Sequence, residues 1–167
     1  MNARIWLGIG LLLLAAVPAK AAGRGRAATA GQQPAGVSVH FSSAGLTAVD
    51  VEGATLHYVW HTLKEGPISH VQSLQAYDRH EARRSLSPSQ QQWVARWIEK
   101  HRVFRFRPKY PSGDAGSYGA AFASQLKVRR GGRTRTAAWD GTSRAPGPNK
   151  AAGELVEWAR TIVGQPQ

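Results

Sequence analysis

The chain has 167 residues, 22 Lys and Arg against ten Asp and Glu, no Cys, and a net charge of +12 at pH 7. This length supports one domain of ordinary size. The lack of Cys excludes disulfides, thiol catalysis and thiolate metal sites, while the charge favours anionic partners.

Arg4 precedes an apolar run from Ile5 to Val17, and Ala19-Lys20-Ala21 has the small-x-small form of a signal peptidase site. The run is short for a membrane span, which needs ~20 residues. Residues 1–21 are therefore expected to be a signal peptide, and the protein periplasmic or extracellular. Lys20, Arg24 and Arg26 follow the run, so an uncleaved N-terminal membrane anchor is the alternative. Cleavage after Ala21 would leave 20 of the 22 Lys and Arg with all ten acids, a net charge near +10. Residues 22–36 are rich in Ala, Gly, Gln, Thr and Arg without apolar period, which predicts a flexible linker. A single domain is expected over residues 37–167.

Val39 and Phe41 alternate with Ser38 and His40, the pattern of a first short strand, and Leu46 to Val51 predicts a weaker second one. From Ala54 to Thr62, Leu56, Tyr58 and Trp60 face one way and His57, Val59 and His61 the other. Lys64-Glu65-Gly66-Pro67 signals a turn, with a partner strand expected from Ile68 to Tyr77 and a polar connection from Asp78 to Ser85. Ser87, Pro88 and Gln90 form a capping box with Pro at the first helical position. Trp93, Val94, Trp97, Ile98 and His101 then mark one face of a helix.

After His101, Phe104 and Phe106 alternate with Arg105 and Arg107, which predicts a short strand. Residues 108–117 hold Pro and Gly and predict a loop. Phe122, Ser124, Leu126 and Val128 share one face of a strand, Gly131-Gly132 signals a tight turn, and Arg133 to Trp139 returns. A last helix is expected from about Asn149, with Ala152, Leu155, Val156, Ala159, Ile162 and Val163 as its stripe and Gly164 as its stop. The order predicts an α+β fold: an antiparallel sheet of hairpins with two amphipathic helices packed on one face.

Eleven of the Lys and Arg lie between Arg96 and Arg135, opposed there only by Glu99 and Asp114. If Lys127 and Arg129 face away from the core and the turn returns Arg133 and Arg135 beside them, four cations share an outer face. Arg105 and Arg107 extend the set if their strand is adjacent. These six residues are the candidate anion-binding site, suited to carboxylate or sulfate clusters.

Other chemistry finds little support. His57 and His61, four apart on a strand, would be ~13 Å apart and could not share a metal. Ala115-Gly116-Ser117-Tyr118-Gly119 approximates a nucleophile elbow, but a loop precedes it and no His follows His101. No phosphate-binding glycine motif occurs. No carboxylate pair sits in a distinctive motif, so a hydrolase remains an alternative without a named site. No cofactor is expected.

The hairpin around Gly66, Leu86-Ser87-Pro88-Ser89-Gln90 opening a helix, Tyr110-Pro111 before Asp114 and Tyr118, and the closing helix together span about Thr55 to Val163. In this layout the chain resembles small exported bacterial α+β proteins and, more distantly, the emfourin type of metalloprotease inhibitor. The resemblance implies a non-enzymatic exported domain that binds a partner as an inhibitor or envelope accessory protein; it assigns no functional residue. The alternative is a polyanion-binding module that uses the basic hairpin. A protein partner or an anionic polymer is expected in either case, and nucleic acid is disfavoured by export.

Sequencing the N-terminus of secreted material should give a start at or near Ala22. Intact Met1 on membrane-bound protein would contradict cleavage.

Overall fold

The computed structural model describes residues 36–64, 76–111, 123–141 and 143–164. The segments expected to be a signal peptide and most of a linker, residues 1–35, lie outside the described residues, as do 65–75 and 112–122. In chain order the elements are β1 (Ser38–Ser43), β2 (Thr47–Glu52), β3 (Thr55–Leu63), β4 (Tyr77–Ser85), α1 (Pro88–Lys100), a 3-10 turn (Val103–Arg105), β5 (Ser124–Arg130), β6 (Arg133–Trp139) and α2 (Pro146–Val163). The six strands form one antiparallel sheet in the order β4-β3-β2-β1-β5-β6. The α+β architecture expected from the sequence is therefore present.

Alternation along each strand defines two faces. Leu56, Val51, Val39 and Val128 are cross-strand neighbours in one row, and Tyr58, Val49, Phe41, Leu126 and Ala137 in the next. All nine are buried. Both helices lie on this face. The Arg160 Nε of α2 donates to Tyr58 Oη at 3.4 Å. Arg130, on the same face as Val128, donates to Ala95 O at 3.5 Å and to Glu99 Oε1 at 2.8 Å on α1.

The capping box forms as expected: Ser87 N donates to Gln90 Oε1 at 2.7 Å and Gln90 N to Ser87 Oγ at 3.3 Å. Together they satisfy two amides that the first turn would otherwise leave without partners. Val94, Trp97 and Ile98 are buried along α1. The Trp97 indole donates to Ala151 O of α2 at 3.1 Å, which meets its polar demand inside the core. Trp93 stacks on Trp158 with ring centroids 4.6 Å apart and planes 2° from parallel. At the other end of the interface, Glu154 of α2 accepts from Lys100 Nζ at 2.7 and 2.9 Å and lies 2.8 Å from His101 Nε2. The Lys100 ammonium, helped by His101, holds the Glu154 carboxyl below the usual carboxylate range against the opposing effect of burial.

Three expectations need correction. The strand beside β3 is β4, Tyr77–Ser85, which takes in the whole segment from Asp78 to Ser85 expected to be a polar connection, while most of the strand expected from Ile68 to Tyr77 lies outside the described residues. β4 is an edge strand, where charged side chains are tolerated and block further pairing, so it lacks an apolar signal. Phe104 and Phe106 are not in a strand. Residues 103–105 form a 3-10 turn in which Val103 and Phe106, three apart, are buried and Phe104 is half-buried. Finally, α2 starts at Pro146, three residues before Asn149, because the first helical turn has no internal use for the amide that proline lacks. Among the described residues, no helix is long and apolar enough to cross a membrane.

Trp97→Ala should cost about 3–5 kcal/mol in chemical denaturation, since it empties the fully buried centre of the helix–sheet core, whereas Gln92→Ala on the exposed face of α1 should be near neutral. Equal small effects would contradict this packing.

Glu154 also makes a pH prediction. Its carboxyl is depressed in the folded state, so its contribution is present above the ordinary carboxylate pKa of about 4.3 and is lost as pH falls through the lower folded value. Glu154→Gln should therefore lower stability by about 0.5–1 kcal/mol at pH 7. The difference from wild type should close toward pH 3 in urea melts; a difference unchanged across that range would contradict the coupling.

Candidate functional site

The turn between β5 and β6 has two residues, Gly131 and Gly132, both with positive φ (54° and 76°). That conformation suits the right-handed twist of a hairpin and is accessible to glycine without strain. A two-residue turn places Arg130 opposite Arg133, and the register continues with Arg129 opposite Thr134, Val128 opposite Arg135 and Lys127 opposite Thr136. Arg133 and Arg135 therefore share a face with Leu126 and Val128, the helix side of the sheet. The expectation that they join Lys127 and Arg129 on the outer face is overturned by this register. Lys127 and Arg129 instead lie opposite Thr136 and Thr134 on β6.

The structure brings together a different set of arginines. Arg102, immediately after α1, adopts φ 50°, ψ 43°, a left-handed conformation that ends the helix and turns the chain into the 3-10 turn. Such a conformation is uncommon in a residue with a Cβ. Arg102 and Arg105 from this turn, with Arg130 and Arg133 from the hairpin, line one open cavity of about 650 Å³, together with Phe104 and Glu99. The Arg133 guanidinium lies 4.5 Å from the centre of the Phe104 ring, a cation–π contact that orients it while leaving its N–H groups for other partners. Arg130 is tied to Glu99. Among the described residues, no carboxylate pairs with Arg102, Arg105 or Arg133.

Of the six residues expected to bind anions, Arg105 and Arg133 thus converge. Arg107 is exposed beyond the 3-10 turn, its backbone amide donating to Tyr110 Oη at 3.2 Å, and does not line the cavity. Lys127 and Arg129 are exposed on the outer face. Arg135 is half-buried on the helix side, with its Nε buried and without a hydrogen-bond partner among the described residues. Two members of the cleft, Arg102 and Arg130, were not expected. Arg130 was recoverable from the sequence, since a two-residue Gly-Gly turn puts the flanking residues opposite each other. Arg102 has no such signal.

His57 and His61 lie on β3, as the strand reading requires; His61 Nδ1 is 2.8 Å from Leu46 O. Among the described residues, no group of three or more His, Asp or Glu is arranged to hold a metal ion. Compared with known protein families and with curated proteins, the chain has no match.

Proposed function

We propose that this is an exported, non-enzymatic binding domain whose ligand is an anionic polymer held in the arginine cleft. The observation that supports the reading is the convergence of Arg102, Arg105, Arg130 and Arg133 on one cavity, with Glu99 as the only acid in its lining among the described residues. Arg130 is spoken for by Glu99 and anchors α1, so Arg102, Arg105 and Arg133 supply the binding charge. Each guanidinium offers a planar fork of donors that matches a sulfate, phosphate or carboxylate group. Phe104 adds an apolar surface beneath one of them. The cavity is wide and open, which suits a chain lying across it better than an enclosed small molecule. The remaining basic surface contributes long-range attraction, which is screened by salt.

Retention on a heparin column across a salt gradient tests this. The triple variant Arg102→Gln, Arg105→Gln, Arg133→Gln should elute at clearly lower salt than wild type, and Lys127→Gln with Arg129→Gln at only slightly lower salt. Both variants should keep the wild-type circular dichroism. Elution of the triple variant at the wild-type salt concentration would contradict the proposal.

A further inference from the structure

The sheet face opposite the helices carries a line of charge unrelated to the arginine cleft. Arg83, His57, Asp50, His40 and Lys127 are successive cross-strand neighbours, one each on β4, β3, β2, β1 and β5. Directly opposite residues on antiparallel strands have Cβ atoms about 5 Å apart, so each member of the row is adjacent to the next. The row, Gln125 and a second carboxylate, Glu52, are among the residues that line a shallow depression of about 810 Å³.

Both histidines turn the same nitrogen to one carboxylate. His40 Nδ1 is bonded to Asp50 Oδ1, and His57 Nδ1 lies 3.8 Å from Asp50 Oδ2. A neutral imidazole has one proton. With that proton on Nδ1, toward Asp50, His57 Nε2 is a bare acceptor. It sits 3.5 Å from Glu81 Oε2, a second acceptor, and is buried without a hydrogen-bond partner among the described residues. Arg79, at 2.8 Å, keeps the Glu81 carboxyl below the usual range and therefore ionised. A second proton on His57 converts this mismatch into a bridge between Asp50 and Glu81.

That proton also changes what the face can bind. On this face β4 presents Arg79, Glu81 and Arg83; β2 presents Asp50 and Glu52; β5 presents Lys127 and Arg129; and β3 adds His61, four residues along the strand from His57. With neutral histidines, four cations oppose three carboxylates. Charging His57 draws on Asp50, and charging His40 then leaves an imidazolium next to Lys127, so that four cations of the depression (Arg83, His57, His40 and Lys127) face two carboxylates, Asp50 and Glu52. Histidine is the side chain that makes this change between about pH 5 and 8.

We propose that the His40–Lys127 end of this row is a proton-gated site for a divalent oxyanion, a sulfate or phosphate group, with Gln125 as a neutral donor and His57 as the group that occupies Asp50. The site is independent of the arginine cleft, which carries permanent charge.

Binding and protonation are reciprocal, so an anion that prefers the charged row must raise the titration midpoints of its histidines. Sulfate is the probe, because its charge is constant over the range. Histidine ring resonances are titrated by NMR in sodium sulfate and in sodium chloride at matched ionic strength. Sulfate should raise the His40 and His57 midpoints by about half a pH unit, corresponding to roughly threefold tighter binding to each charged form. His80, on the helix side of the sheet, should not move. Lys127→Gln should at least halve the effect, and Arg102→Gln with Arg105→Gln should leave it intact. Unchanged midpoints, an equal shift at His80, insensitivity to Lys127→Gln, or loss of the effect in the cleft variant would each overturn the proposal.

Discussion

Two helices have to cover one face of six strands. At about 4.8 Å per strand the sheet is at least ~24 Å wide, whereas two helices of ~10 Å diameter span ~20 Å. The centre is covered completely: Val39, Val49, Leu56, Tyr58, Leu126 and Val128 are almost inaccessible beneath α1 and α2, which Trp97 joins. The two edges are not, and the composition of the strands follows that limit. On β4 the helix-side positions are Asp78, His80, Ala82 and Arg84; on β6 they begin with Arg133 and Arg135 before turning apolar at Ala137 and Trp139. Aliphatic residues at these edges would remain wet, while long cationic side chains cover apolar surface with their stems and keep their heads in water.

The cleft is the consequence at the β6 edge. The 3-10 turn fills part of the uncovered strip by burying Val103 and Phe106, and the remainder is bordered by arginines from the turn and the hairpin. Arg130 serves the fold as well, since its bonds to Ala95 and Glu99 fasten α1 to β5. The opposite face has no described helix over it and is mostly polar, with Ala48, Val59, Leu63 and Ala138 among its apolar positions. There two imidazoles, His40 and His57, sit among permanent charges of both signs. One strand, β5, feeds both: its even-numbered positions end in Arg130 on the helix side, and its odd-numbered positions put Lys127 and Arg129 outside.

Local signals in the sequence were read correctly where one interaction controls the conformation. The Ser87–Gln90 capping box, the Val39–Phe41 and Leu56–Trp60 alternations and the Gly131-Gly132 turn all concern residues within a few positions of each other. β4 was missed because an edge strand needs no apolar face. The Phe104–Phe106 pair was misread because alternation over four residues fits a 3-10 turn as well as a strand; Val103 and Phe106, three apart, are the buried pair. The face of Arg133 and Arg135 was legible through turn arithmetic, which makes Arg130 and Arg133 partners. The His40–Asp50–His57 row was not legible. It requires the mutual registers of β1, β2 and β3, and the strand order that puts Lys127 of β5 next to His40 comes from a contact 87 positions away in sequence.

The central claim is that permanent cationic binding charge is gathered in the cleft and not spread over the basic surface. Residue-resolved NMR of the arginine Nε–Hε groups and the lysine ammonium, during titration with a sulfated oligosaccharide at pH 8 and low salt, addresses it most directly. The account predicts saturable shifts at Arg102, Arg105 and Arg133, with Lys127 and Arg129 unmoved. Shifts of similar size at Lys127, Arg129 and Arg107, or shifts that grow without saturation, would contradict it.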